Sequence, residues 1–232
     1  DEKPPKGFAG ETIDVPVRRI VCMSSSYVAF LEALGADSTI CAISGTGYIW
    51  SDKVRNRIAG GEIAEAGFDN SLNFEKLVAL KPDVVFLYGL TGKNAVTDKL
   101  HELGLKTVYI GDYVENNPLG RAEWITVFGE FTGRRELART LFDSISNEYN
   151  RAKALVSGVE KRPEVMLNAP WQDSWFVPGD RSYMVRLLED AGGNYACRGV
   201  DSDQSRPIST ETAFVAASQS DFWLSPGPHW RN

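Results

Sequence analysis

The chain has 232 residues, of which 43% are hydrophobic and 24% charged, a composition typical of a folded protein and not of a disordered one. Its 25 Lys and Arg and 31 Asp and Glu give a net charge of −6, and no block of basic residues points to a nucleic-acid partner. No apolar run approaches the roughly 18 residues that a membrane-spanning helix needs.

Predicted strands and helices alternate through the first half of the chain. The predicted strands cover 18–23, 39–44, 84–88 and 106–110. The predicted helices cover 27–34, 73–80 and 95–103. The strand over 84–88 is apolar throughout, which is typical of parallel sheets that are covered on both faces. The order of these elements therefore predicts an α/β fold with a doubly wound parallel sheet.

A long helix is predicted over 134–156, where apolar residues recur at steps of three and four and neither Pro nor Gly intervenes. At 1.5 Å per residue such a helix spans roughly 35 Å, about the length of a whole lobe. We interpret it as a rigid connector. The predicted organisation is an N-terminal α/β lobe over 1–133, a connecting helix over 134–157 and a C-terminal α/β lobe over 158–232.

The alternation of strands and helices resumes after the connector. Strands are predicted over 164–168 and 221–224, and helices over 181–191 and 209–217. Far fewer residues follow the connector than precede it. If the second lobe resembles the first, it lacks one or more closing strand–helix units, so we expect this lobe to be incomplete at its C-terminus.

Aromatic and polar residues follow several of the predicted strands. In open α/β sheets, ligands bind beyond the carboxyl ends of the strands. Four of the six Trp residues lie in such predicted exit loops, and exposed rings are costly unless they bind or pack on something. Packing onto the core is the alternative for any single Trp. We expect a ring-lined cleft between the lobes. The candidate ligand-binding residues are Ser25, Tyr48, Trp50, Tyr88, Trp171, Gln172, Trp175, Arg206, His229 and Trp230.

Two Glu residues occupy matching places in a weak internal repeat. Glu75 follows Asn73 by two positions and Glu211 follows Ser209 by two, and in each case a predicted helix leads into a strand. Asn and Ser are favoured helix N-caps. Since a Glu in the first turn of a helix is favoured by the helix dipole alone, the pattern by itself does not require a partner.

No catalytic or metal-binding pattern is found. His101 lies in a predicted helix and His229 in a loop, so the two His residues cannot form a multi-His zinc site. The Cys residues form no Cys-x-x-Cys pair. Cys22 and Cys41 fall in predicted strands and are interpreted as core residues, and the sequence does not decide whether they pair. Nucleophile-elbow and phosphate-loop motifs are missing. The sequence therefore favours a binding protein over an enzyme and predicts no metal site.

Three segments resemble the substrate-binding proteins of iron-siderophore, haem and cobalamin ABC importers, the class III periplasmic binding proteins with a single backbone helix. These are 18–22 (RRIVC), 34–36 (LGA) and above all 73–85 (NFEKLVALKPDVV). The predicted long connector fits the same family. The resemblance covers residues 13–228, and the last part of the second lobe of such proteins is missing from the sequence.

The resemblance implies a receptor that captures a ferric siderophore, another iron complex, haem or cobalamin and delivers it to an ABC permease dimer. The ligand would be cargo and not an intrinsic cofactor, and the receptor is expected to be a monomer. It would be periplasmic or lipid-anchored outside the cytoplasmic membrane, with its signal sequence removed. In this family one Glu on each lobe docks into arginine pockets of the permease, and Glu75 and Glu211 match those positions.

Two other functions stay open at this point. A tetrapyrrole chelatase also uses two α/β lobes, and His229 is the residue that would accept pyrrole protons. A ligand sensor would contact a signalling partner in place of a permease.

Overall fold

The structure is a computed structural model that describes residues 10–68, 71–89, 95–171, 174–199 and 201–224, without the side chain of Trp171. The chain divides into two compact units. Unit 1 comprises Asp1–Tyr113 and Glu123–Phe142, and unit 2 comprises Val114–Ala122 and Asp143–Asn232. The lobe boundaries expected from the sequence, at 133 and 158, stay a prediction.

Unit 1 contains a five-stranded sheet in the order β3-β2-β1-β4-β5. Every neighbouring pair in this sheet is parallel. The predicted doubly wound parallel sheet is confirmed, and β3 is a strand that the sequence did not predict. The strands are β1 (Ile20–Cys22), β2 (Ile40–Ile43), β3 (Ala64–Glu65), β4 (Val84–Tyr88) and β5 (Thr107–Ile110).

Helices cover both faces of this sheet. They are α1 (Ser25–Ala33), α2 (Asp52–Ala59), α3 (Phe74–Leu80) and α4 (Ala95–Glu102). Leu31 of α1 packs with Cys22 in one hydrophobic cluster, whereas Leu100 of α4 packs with Cys41 in another. Because Cys22 and Cys41 belong to different clusters and both are free thiols, they do not form a disulfide.

Three helices follow: α5 (Pro118–Glu123), α6 (Ile125–Thr132) and α7 (Arg135–Leu155). Helix α7 has 21 residues and is the predicted connector. At 1.5 Å per residue it is about 32 Å long. Gly133, with φ 69°, ends α6 in the left-handed conformation that favours glycine. Residue 129 must also be small, because a Cβ on Gly129 would lie 2.4 Å from the Ala138 Cβ of α7.

Unit 2 contains two three-stranded sheets, in the orders β11-β6-β9 and β10-β8-β7. Its strands are β6 (Glu164–Leu167), β7 (Pro170–Trp171), β8 (Ser174–Val177), β9 (Asn194–Tyr195), β10 (Arg206–Ile208) and β11 (Phe222–Leu224). The first sheet is parallel, as predicted. The second is antiparallel and was not predicted.

Two helices of unit 2, α8 (Tyr183–Asp190) and α9 (Thr210–Ser218), start at Ser N-caps. The core of this unit includes Val165, Val177 and Tyr195. Within the described residues, no helix combines the length and the apolar character that crossing a bilayer requires.

Candidate ligand-binding site

A groove of about 550 Å³ on unit 1 brings together three of the predicted ligand residues, Ser25, Tyr48 and Trp50. One wall is helix α1 and the other is the loop that follows β2. We call it the α1 groove. The residues that line it are Ser25, Ser26, Val28, Ala29, Glu32, Tyr48, Ile49, Trp50 and Ser51.

The helix wall is fixed by an N-cap. Ser24 has an extended backbone, and its side chain accepts a hydrogen bond from the Ser26 amide at 3.3 Å. Helix α1 begins at the next residue, Ser25. This bond satisfies one of the amides that a helix start leaves unpaired. Residues 25, 28, 29 and 32 are spaced by three and four, so they form one stripe along α1 that faces the groove.

The opposite wall holds two aromatic rings out in solvent. Gly45, with φ 75°, turns the chain after β2, and a short 3-10 turn over Thr46–Tyr48 follows. Tyr48 and Trp50 are each 69% exposed, whereas Ile49 between them is buried. The buried Ile49 anchors the loop while the two rings point away from the core. A loop that exposes two rings in this way is typical of a binding surface.

The side chain of Glu65 ties the start of this loop to β3. Its Oε1 accepts hydrogen bonds from the Gly45 amide at 3.0 Å and the Gly67 amide at 2.9 Å. Its Oε2 accepts from the Thr46 amide at 2.8 Å and the Thr46 hydroxyl at 2.7 Å. Burial opposes ionisation, but these bonds outweigh it and hold the pKa of Glu65 below its usual value. The sequence analysis missed this residue.

A second pair of rings lies at the carboxyl ends of β4 and β5. Tyr88 and Tyr113 meet edge to face with their centroids 6.5 Å apart, and both are partly exposed. Behind them the buried Tyr27 hydroxyl donates to the Leu87 and Ile110 carbonyl oxygens at 3.3 and 3.4 Å. Tyr88 was predicted as a ligand residue. Tyr113 was not, although it comes soon after β5.

Trp175 does not lie in a strand-exit loop, and that prediction is wrong. It belongs to β8 and is only 9% exposed. Its indole NH donates to the Leu167 carbonyl at 3.4 Å, and its ring packs on that of Trp223 at 5.5 Å. Since both the ring and the polar NH are satisfied inside unit 2, Trp175 is a core residue.

The structure describes only some of the other predicted ligand residues of unit 2. Trp171 belongs to β7 and not to a loop, and its side chain lies outside the described residues. Gln172, His229 and Trp230 also lie outside them. Arg206 begins β10 and is partly buried.

Arg206 and Glu211 line the same groove of unit 2, which has a volume of about 440 Å³. The sequence assigned them different roles, ligand binding and permease docking. Two hydrogen bonds to the carboxylate, from the Glu211 backbone and the Ser209 side chain, hold the pKa of Glu211 below its usual value. This groove therefore combines an ionised carboxylate with a guanidinium.

Glu75 and Glu211 occupy equivalent local positions, as the repeat predicted. Each is the second residue of its helix, after the N-caps Asn73 and Ser209. Both carboxylates are exposed. An exposed apolar residue follows three positions later in each helix: Val78, 39% exposed, and Phe214, 74% exposed. On one helix face, residues three apart are neighbours, so each Glu stands beside an apolar contact.

Within the described ranges, no cluster of three or more His, Cys, Asp or Glu side chains could hold a metal ion. His101 is a surface residue of α4 whose Nε2 lies 2.7 Å from the Thr107 hydroxyl.

The curated relatives are longer than this chain. An uncharacterized lipoprotein of Methanocaldococcus jannaschii is 28% identical over 225 residues, which cover 93% of the chain and 54% of the relative. A second uncharacterized lipoprotein of that organism is 27% identical over 232 residues, covering 94% and 58%. The chain thus spans about half the length of the curated relatives it matches.

Solved structures share the fold at low identity. The TroA-like periplasmic binding protein FepB from Veillonella parvula has a TM-score of 0.72 at 20% identity, covering 94% of this chain and 67% of that one. The periplasmic heme binding protein HutB of Vibrio cholerae has a TM-score of 0.71 at 20% identity, covering 90% and 76%. The periplasmic vitamin B12 binding protein BtuF of Vibrio cholerae has 0.62 at 13%, covering 87% and 74%.

A family model described as periplasmic binding protein matches residues 20–227, which is most of the chain. The resemblance noted in the sequence is thereby confirmed. The chain belongs to the periplasmic binding protein family.

Proposed function

We propose that the protein captures a metal chelate or a corrinoid outside the cytoplasmic membrane and delivers it to an ABC importer. The observation that carries this proposal is the α1 groove. Its two rings, Tyr48 and Trp50, are 69% exposed on a loop that Ile49 and Glu65 hold in place. Rings presented in a fixed position suit a bulky ligand with flat or apolar faces.

The candidate ligands are a ferric siderophore, haem and cobalamin. Structures of similar fold include a protein named for binding heme and one named for binding vitamin B12, and both share less than 25% of their residues with this chain. In our proposal Ser25 and Tyr88 add contacts on unit 1. Trp171, Gln172, Arg206, His229 and Trp230 stay proposed contacts of unit 2, whereas the buried Trp175 is withdrawn.

We propose further that Glu75 and Glu211 dock the loaded protein onto basic pockets of a permease dimer. Each carboxylate is exposed at a helix start with an apolar side chain beside it, which combines one charge with one hydrophobic contact. Anchoring by a lipid is supported by the names of the two relatives, which are lipoproteins. Such an anchor would keep the protein near the permease.

Titration of the intrinsic Trp fluorescence tests the ligand proposal. The full-length protein would be titrated with ferrioxamine B, haemin and cyanocobalamin. We expect saturable quenching by one of them. The double variant Tyr48→Ala and Trp50→Ala should bind that ligand with at least tenfold lower affinity, measured from the quenching of the other Trp residues. Leu155→Ala, at a residue that is 75% exposed at the end of α7, is the control and should leave binding unchanged. If no chelate binds, the proposed function is wrong.

ATP hydrolysis by the reconstituted importer tests the docking proposal. The double variant Glu75→Gln and Glu211→Gln should bind ligand normally but fail to stimulate the importer. Glu136→Gln is a matched control, because Glu136 is also the second residue of a helix and is exposed. If the double variant stimulates hydrolysis as well as the wild type, docking through these residues is refuted. Ligand binding without any stimulation by the wild type would favour the sensor alternative.

A further inference from the structure

The charge of the α1 groove limits the ligands that it can accept. Among the described residues that line it, Glu32 is the one charged side chain, and none is Lys, Arg or His. The remaining polar groups are the hydroxyls of Ser25, Ser26, Tyr48 and Ser51 and the indole NH of Trp50, which is a neutral donor. Hydroxyls both donate and accept hydrogen bonds, so they do not favour one sign of ligand charge.

Glu32 lies at one end of the helix wall of this groove. It is partly buried, and its Oε1 accepts a hydrogen bond of 2.5 Å from the Ser51 hydroxyl. The Ser51 oxygen in turn accepts from the Val54 amide at 3.3 Å as the N-cap of α2. Ser51 is a neutral donor, so this bond holds the carboxylate in position without cancelling its charge.

The basic residues that follow the groove in α2 are all engaged by other carboxylates. Lys53 pairs with Asp37 at 2.7 Å. Arg55 pairs with Asp52 at 3.4 Å and Arg57 with Glu62 at 2.9 Å. None of these cations lines the groove. A further carboxylate, Glu65, lies behind the loop that carries the rings.

The start of α1 opposes the negative charge of Glu32 in the groove, because a helix N-terminus carries about half a positive charge. Ser25 and Glu32 are seven positions apart in α1, so at a rise of 1.5 Å per residue the two ends of the stripe are about 10 Å apart. Half a positive charge at one end does not balance a full negative charge at the other. The α1 groove is therefore net negative.

We infer that the α1 groove selects metal chelates that present neutral or positively charged groups to it, and that it disfavours chelates that present carboxylates or catecholates. This inference rests on the proposed function and narrows its ligand class. Chelates with neutral hydroxamate centres and corrinoids with amide side chains satisfy it. Haem satisfies it only if its propionates point away from unit 1.

The test compares chelates that share one chemical core and differ only in charge. Ferrioxamine B carries a pendant ammonium, its N-acetyl form is neutral and its N-succinyl form is anionic. Cyanocobalamin would be compared with its monocarboxylic acid, and haemin with its dimethyl ester. For whichever core binds, we expect the anionic member to bind about fivefold more weakly than the neutral or cationic one at low ionic strength, and added salt should narrow the difference.

Variants assign the effect to Glu32. Glu32→Gln keeps the shape and the bond from Ser51, so it should fold normally and should strengthen binding of the anionic member about fivefold. Glu102→Gln is the control. It removes the same charge from α4, on the other face of the sheet, and should change neither affinity.

Two results would overturn the inference. If the anionic member binds as tightly as the neutral one and Glu32→Gln has no effect, the charge selection is wrong while the proposed function stands. If no member of any core binds, the proposed function fails and the inference fails with it.

Discussion

The contact between Glu65 and the ring-bearing loop gives the sharpest prediction about unit 1. Four donors from Gly45, Thr46 and Gly67 converge on the two carboxylate oxygens at 2.7–3.0 Å. Glu65→Gln replaces one oxygen by an NH2 group of nearly the same size. The Thr46 hydroxyl can turn to accept from that group, but a backbone amide cannot. At least one amide then faces another donor and loses its partner.

The magnitude follows from the number and environment of these bonds. A hydrogen bond to a charged group contributes about 1.5–3 kcal/mol when it is buried. Glu65 is largely exposed, so water replaces part of what is lost, and we expect Glu65→Gln to lower the free energy of unfolding by about 1–2 kcal/mol. That is a minor share of the 5–15 kcal/mol typical of a domain, so the variant should stay folded with a looser loop.

Hydrogen exchange and denaturant unfolding measure both effects. The amides of Gly45 and Thr46 should lose about tenfold protection in Glu65→Gln, while amides of β1 stay unchanged. Glu62→Gln is the control, because the Glu62 side chain is 62% exposed in its ion pair with Arg57, and its loss should cost less than about 1 kcal/mol. Unchanged protection at Gly45 and Thr46 would refute the role of Glu65 in holding the loop.

The same contact predicts a dependence on pH. The pKa of Glu65 is lower in the folded protein than its usual value, so its contribution to stability is fully present above the unfolded pKa of about 4.3. It is lost as the pH falls through the folded pKa. The stability difference between wild type and Glu65→Gln should therefore be constant near neutral pH and shrink below about pH 4. A difference that grows on acidification would contradict this sign.

Three further predictions concern the core. Burial raises the pKa of the Cys22 and Cys41 thiols, so neither should react with a thiol reagent until the protein unfolds. Gly129→Ala should destabilise by about 1–3 kcal/mol in denaturant titrations, because its Cβ would overlap that of Ala138. Trp175→Ala should cost about 3–5 kcal/mol in the same assay, and a cost below about 1 kcal/mol would show that the ring is not a core residue.

The parallel sheet of unit 1 was predictable because its signals are local. The strand β4 is continuously apolar, and helix α3 starts with an Asn cap just before it, so both could be identified within a short window. Helix α7 was identified from one long apolar stripe without a break. In each case the feature that forms the element lies inside the element, so no knowledge of distant contacts was needed.

The antiparallel sheet of unit 2 gave no comparable signal. Its strands have two to four residues, too few to show an alternating pattern, and they form only because they pair with each other. The burial of Trp175 depends on that pairing, since the strand carries the ring onto Trp223. A Trp after a predicted strand looks the same in sequence whether it is in a loop or in a core.

The hydrogen bonds of Glu65 and Glu32 at the candidate site could not be predicted from the sequence either. Glu65 bonds to residues 19 and 20 positions earlier, and Glu32 bonds to Ser51, 19 positions later. A Glu at the end of a strand or a helix is usually a solvated surface residue. Only the parallel pairing of β1, β2 and β3 brings these carboxylates beside the ring-bearing loop.

Two apolar surfaces of the chain differ in what supports them, and this difference favours the α1 groove as the ligand surface. Phe222, Trp223 and Leu224 are also well exposed, and among the described residues they form β11, the outer strand of its sheet. Tyr48 and Trp50 instead stand on a turn that needs a left-handed Gly45 and four hydrogen bonds to Glu65. A loop that is already rigid loses less conformational entropy when a ligand binds to its rings. This advantage exists only if the rings bind a ligand, so the support of the loop favours a binding role for Tyr48 and Trp50.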